Sequence, residues 1–156
     1  MPTRNHDACH QFMTRSVKSF SWSLVMKENI LVELSKQFAV DIVNICTDIK
    51  ENRKSNVLIN QILRSGTSVG ANIHEANYAA SKADFINKFH IALKECVETE
   101  YWIEMLVGSN CITEAVSKEL LNECGIIRRM LVKSVNTAKK KLDIISSIVK
   151  RLNSSI

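Results

Sequence analysis

At 156 residues the chain is long enough to bury one sizeable core and too short for two ordinary domains. Hydrophobic residues at 46% and charged residues at 24% exclude a disordered chain, and no apolar run approaches the roughly 18 residues of a membrane helix. The formal charge of +5 is modest, so its distribution matters more than its total; 4 glycines and a single proline at position 2 argue against a turn-rich β fold, and 5 cysteines with no C-x-x-C pair against a disulfide framework or a zinc knuckle, which fits a helical protein of a reducing cytoplasm.

Residues 1–25 show no sustained apolar period and read as a loosely ordered N-terminal extension, removable without loss of the fold. Their His6, Cys9 and His10 form an H-x-x-C-H run that lacks a fourth ligand, so no metal site is assigned. The domain proper is expected over residues 26–152. Helix one starts at Met26 and carries Leu31, Leu34, Phe38, Ile42, Ile45 and Ile49 on one face, ending near Glu51-Asn52-Arg53. Helix two follows Ser55, with Ile59, Ile62, Gly66, Val69, Ile73, Ala76 and Ala80 along one stripe whose middle is built from small residues.

Ser81-Lys82-Ala83-Asp84 reads as an N-cap with an acid three residues on, a variant of the capping box. It opens helix three, where Phe85, Phe89, Ala92, Cys96, Thr99, Ile103 and Leu106 step as a heptad seam to a stop at Gly108 and Asn110. Thr113 caps helix four, whose period runs through Leu120, Cys124, Ile127, Leu131, Val135, Ala138, Leu142, Ile145 and Val149. Four amphipathic helices on short connections, with no sheet to bury them, predict an all-α, antiparallel up-down-up-down four-helix bundle. Helix four is the longest, so part of it projects past the bundle or docks on another subunit, which leads us to expect self-association.

The segments Gln61-Ile62-Leu63-Arg64-Ser65-Gly66-Thr67-Ser68-Val69-Gly70-Ala71-Asn72-Ile73-His74-Glu75-Ala76, Ser81-Lys82-Ala83-Asp84-Phe85 and Ala92-Leu93-Lys94-Glu95-Cys96-Val97-Glu98-Thr99-Glu100-Tyr101-Trp102 carry a resemblance. The chain resembles, from Met26 to about Leu142, the bacterial four helix bundle protein family, first noticed as reading frames within intervening sequences of 23S ribosomal RNA genes. That resemblance implies a bundle assembling as a ring-like homopentamer. It also implies candidate partners, because a similar protein, the accessory variability determinant of diversity-generating retroelements, partners a reverse transcriptase and nucleic acid.

Gly66 and Gly70 form G-x-x-x-G among polar neighbours, which suits close packing of soluble helices; a kink at Gly66 is the other reading. Arg64, Ser68, Asn72 and Glu75 line one side of helix two, and Glu95 and Glu98 lie beside the seam of helix three. They can form a partly buried polar network that fixes register, or a solvated or subunit-facing strip. No Glu-x-x-His pair, P-loop, H-E-x-x-H, G-x-S-x-G or EF-hand pattern occurs, so no catalytic residue, metal or cofactor is assigned and the chain is expected not to be an enzyme.

Lysine and arginine exceed acids by 9 to 4 after residue 110. On a wheel of 100° per residue, Arg129, Lys133, Lys140 and Arg151 fall within about 40° of one another, opposite the apolar stripe, with Arg128, Lys139 and Lys150 flanking. Such a stripe binds RNA or DNA through phosphates, or is an ordinary solvated face favoured by the helix dipole. Two functions stay open: a nucleic-acid-binding accessory protein, and a scaffold or protein-interaction module without nucleic acid.

Overall fold

The computed structural model describes residues 30–50 and 56–153. Within them lie four helices and no strand: α1 over residues 30–50, α2 Asn56–Ala76, α3 Lys82–Gly108 and α4 Glu114–Asn153. The expected extension 1–25, its His6, Cys9 and His10, and both ends assigned to helix one lie outside the described residues.

On α1 the buried positions are Leu31, Ser35, Phe38, Ile42, Cys46 and Ile49. Leu34 was expected on that face but is 38% exposed, and Ile45 is half-buried. The small neighbours Ser35 and Cys46 take the inward positions because α2 comes too close for larger side chains. Ser35 keeps its hydroxyl satisfied by donating to the Val32 carbonyl at 2.9 Å, and the Cys46 thiol points at the Ile59 carbonyl at 3.8 Å. Burial pushes the Cys46 thiol up to about 11, which makes it a packing group rather than a nucleophile.

The close approach is visible at two glycines. A Cβ on Gly66 would lie 2.9 Å from Cγ1 of Ile42, and one on Gly70 would lie 3.1 Å from the Ser35 carbonyl oxygen. Each glycine costs the helix about 1 kcal/mol, and the dispersion contacts of the intimate α1–α2 seam offset it. Ile42 thus meets Gly66 while Ser35, nearer the start of α1, meets Gly70, further along α2.

Ala80, assigned to the stripe of helix two, falls in the connection instead. The amides of Asn77, Tyr78 and Ala79 bond back to the carbonyls three residues earlier, tightening the helix into turns after Ala76. The Ala80 amide then donates to the Asp84 carboxylate at 3.2 Å, while Ser81 Oγ accepts from the Asp84 amide at 3.1 Å. This reciprocal cap claims Ala80 for the start of α3. Along α3, Ile86 replaces Phe85 as the first buried residue of the seam, and Phe85 stacks on Phe89 with ring centroids 4.3 Å apart.

The expected stop at Gly108 and Asn110 falls where α3 ends, with the turn made by Asn110 at φ 56°; Gly108 itself remains helical, and a Cβ there would meet nothing. That left-handed residue lets the Cys111 amide reach the Leu106 carbonyl at 2.8 Å. Thr113 then caps α4, its Oγ1 accepting from the Val116 amide at 3.3 Å.

The core gathers Phe38, Ile42, Ile59, Ile62, Phe89, Ile103, Leu106, Ile127 and Leu131 from all four helices. On α4, Leu120, Cys124, Ile127, Leu131 and Val135 are buried, Ala138 and Leu142 half-buried, and Ile144, Ile145 and Ile148 are 59%, 48% and 51% exposed. No helix of the described residues is long and apolar enough to cross a membrane.

Candidate functional site

The inward face of α4 dictates its outward one. With Leu120, Cys124, Ile127 and Leu131 fixed in the core, helical geometry turns Arg129, Lys133 and Lys140 to solvent, where they are exposed together with Lys139, Lys150 and Arg151. From Arg129 to Arg151 the line spans about 33 Å at 1.5 Å per residue. It is a line of charges, not a pocket. Arg129, Lys133, Lys139, Lys140 and Lys150 form no ion pair with any described residue. Arg128 behaves differently: its Nε–H donates to Glu100 Oε1 on α3 at 2.9 Å, so it ties α4 to the bundle. Glu100 was missed in the sequence, since nothing local marks a contact between residues 28 positions apart.

The α2–α3 seam holds the second group. Arg64 reaches two glutamates of α3, bonding Glu98 through Nη2 and approaching Glu95 Oε2 at 3.8 Å from Nη1. Trp102, one helical turn after Glu98, donates its indole N–H to Glu98 Oε1 at 3.2 Å. The hydrogen bonds from Trp102 and Arg64 hold the Glu98 carboxyl below the usual carboxylate range. Glu95 moves the other way, because burial pushes it up more than Arg64 pulls it down. Its Oε2 is sealed from solvent and lacks a hydrogen bond, since 3.8 Å is an ion-pair distance only.

The remaining polar residues of α2 do not join that cluster. Asn72 donates to the Ser68 carbonyl of its own helix at 2.8 Å, and Glu75 pairs with Lys88 across the end of the seam. Six residues singled out together therefore divide into three groups. Trp102 was legible through its i, i+4 spacing from Glu98.

A shallow cleft between α1 and α4 was not anticipated. Leu34, Gln37, Phe38, Glu123, Ile126 and Ile127 line it. Burial, then Asp41 and Glu119, push the Glu123 carboxyl up, and its Oε2 has no hydrogen-bond partner among the described residues. Its acidic rim opposes phosphate, so the cleft is not part of the basic face. Among the described residues no group of three or more His, Cys, Asp and Glu is placed to hold a metal ion.

Two comparisons bear on this arrangement. Residues 27–133 match the family described as 23S rRNA-intervening sequence protein. The fold is also similar to the 1.70 Å crystal structure of a protein of unknown function from the S23 ribosomal protein family of Bacteroides thetaiotaomicron VPI-5482. The identity is 45%, the TM-score 0.69, and the match covers 70% of this chain and 98% of that one. No curated protein matches the chain.

Proposed function

Taking as premise that this chain belongs to the 23S rRNA-intervening sequence protein family, we propose that it is a non-enzymatic protein of the cytoplasm whose ring-like homo-oligomer, as in the pentamer the family resemblance implies, holds RNA or DNA on the basic face of α4. The observation that carries this reading is the exposed line Arg129, Lys133, Lys139 and Lys140, continued at Lys150 and Arg151, with Asp143 the single acid after Glu123. A cyclic oligomer repeats the line in every subunit, and summed phosphate contacts give affinity that tolerates any sequence and falls steeply with salt. The helices run antiparallel in this reading, supported by the pairs Ile42 with Gly66 and Ser35 with Gly70, then Arg64 with Glu98 and Glu75 with Lys88. A reverse transcriptase is the protein partner to test first.

The experiment is fluorescence anisotropy with unrelated RNA and DNA oligonucleotides across a salt series. Replacing Arg129, Lys133 and Lys140 with glutamine weakens binding to every sequence and flattens the log–log salt slope by about two to three units. Unchanged affinity removes the basic face from the reading. No binding by the unmodified chain at low salt leaves the second reading, a scaffold, which the exposed Val97, Tyr101 and Met105 on one side of α3 favour as a protein-docking strip. A monomer in light scattering at micromolar concentration removes the ring.

A further inference from the structure

The far end of α4 continues a pattern that the bundle has stopped using. Leu131, Val135, Ala138, Leu142 and Ile145 step by 4, 3, 4 and 3 residues, which is the strict heptad of a coiled coil. Leu131 and Val135 spend that seam on the core, Ala138 and Leu142 are half covered, and Ile145 lies open. Ile148 widens the stripe beside it. The family match ends at residue 133, so this stretch lies beyond the shared body.

We propose that the C-terminal part of α4, from about Ala138 onward, pairs in parallel with the same segment of other copies of this chain, forming a coiled coil of more than two strands. The register selects this occupant. With Leu131 at d, Val135 and Leu142 fall at a and Ala138 and Ile145 at d; leucine at a with isoleucine at d shifts coiled coils from dimers towards trimers and tetramers. The flanking positions agree. A parallel, in-register copy sets Lys139 against Ser134 and Lys141 against Ser146, so no two like charges face each other. Ile148, the one apolar residue among the g positions Ser134, Lys141 and Ile148, widens the seam at its far end, where a bundle of more than two strands covers it better than a pair does. Lys133, Lys140 and Lys150 then sit at outer positions, so the coiled coil leaves the basic face free. Ile144, at c, stays outside the seam.

This inference rests on the self-association proposed above and goes further by naming the segment, orientation and register. The test uses the full chain with Cys9 and Cys111 replaced by serine, carrying Leu142→Cys, Ile145→Cys or Ser147→Cys. Each variant is exposed to oxidised glutathione, which accepts the two electrons and two protons released when two thiols join. Circular dichroism checks that each variant keeps its helices. In-register parallel seams give rapid disulfide-linked pairs at 142 and 145 and at least ten times fewer at 147. Equal cross-linking at all three positions overturns the proposal. So does its absence in a chain that light scattering still finds oligomeric, a result that leaves self-association standing. A monomer without cross-links overturns both. Co-sedimentation with phosphatidylserine vesicles that Ile145→Asp abolishes, without cross-linking in their absence, overturns it in favour of a membrane surface.

Discussion

Glu95 in the α2–α3 seam and Glu123 in the α1–α4 cleft share one predicament: each has a carboxyl oxygen sealed from solvent without a hydrogen bond, and burial pushes each above the usual carboxylate range. Their neighbours have opposite signs. Arg64 faces Glu95 and draws it back towards the charged form, while Asp41 and Glu119 face Glu123 and reinforce the burial. The seam also holds Glu98, which Arg64 and Trp102 satisfy directly. Desolvation of the same kind therefore gives an anchored network in one place and an uncompensated charge in the other.

Removing the cation is the sharpest way to erase the difference. Arg64→Met strands Glu95, leaves Glu98 with Trp102 alone and lowers stability by about 1 kcal/mol, a modest figure because the guanidinium is half exposed, or about 3 °C in melting temperature. A variant that melts with the wild type would show the seam to be no better compensated than the cleft. Adding Glu95→Gln to Arg64→Met restores about half of the loss, since the stranded buried charge is then gone. No recovery would place the whole effect on Glu98.

The cleft responds with the opposite sign. Glu123→Gln raises the melting temperature at pH 7 by about 2 °C, because a neutral amide costs less to bury than a carboxylate and is not repelled by Asp41 and Glu119. The folded chain holds the Glu123 proton more tightly than the unfolded chain does. Wild-type stability from this group is therefore lost as pH rises through the raised value, and the gain of the variant is absent below the ordinary carboxylate value of 4.5. Glu98 titrates low, so its contribution is full above 4.5 and disappears as pH falls through its lowered value. Glu98→Gln is thus destabilising at pH 7 and neutral in acid. Thermal melts of both variants between pH 3 and pH 8, scanned in about half-unit steps, read the two signs directly; parallel profiles would break the comparison.

How much of this was legible depends on distance along the chain. The Ser81–Asp84 cap and the heptad of α3 could be read because their partners lie within a turn or two, where helical geometry alone sets the spacing. Leu34 misled because it and Ser35 both satisfy a period near 3.6, and the tie is broken only by how closely α2 approaches. Ala80 misled because two helices compete for it, and the Asp84 carboxylate settles that contest. Glu123 carried only the like-charge pair with Glu119 one turn earlier as a local mark, while its other acidic neighbour, Asp41, comes from a helix more than eighty residues earlier.

By itself the amino-acid order determined the four helical periods, the caps of α3 and α4 and the basic line opposite the apolar stripe of α4, because each follows from the backbone repeat and side chains a few residues apart. The tertiary structure alone decided which polar residues find partners. Arg64 reaches Glu98, Asn72 turns back to Ser68, Arg128 crosses to Glu100, and the charges that act on Glu123 are those of the acids Asp41 and Glu119. Those outcomes hang on helix separation and rotation of a few ångströms, and a charge or hydrogen bond discriminates over that distance where the hydrophobic pattern does not.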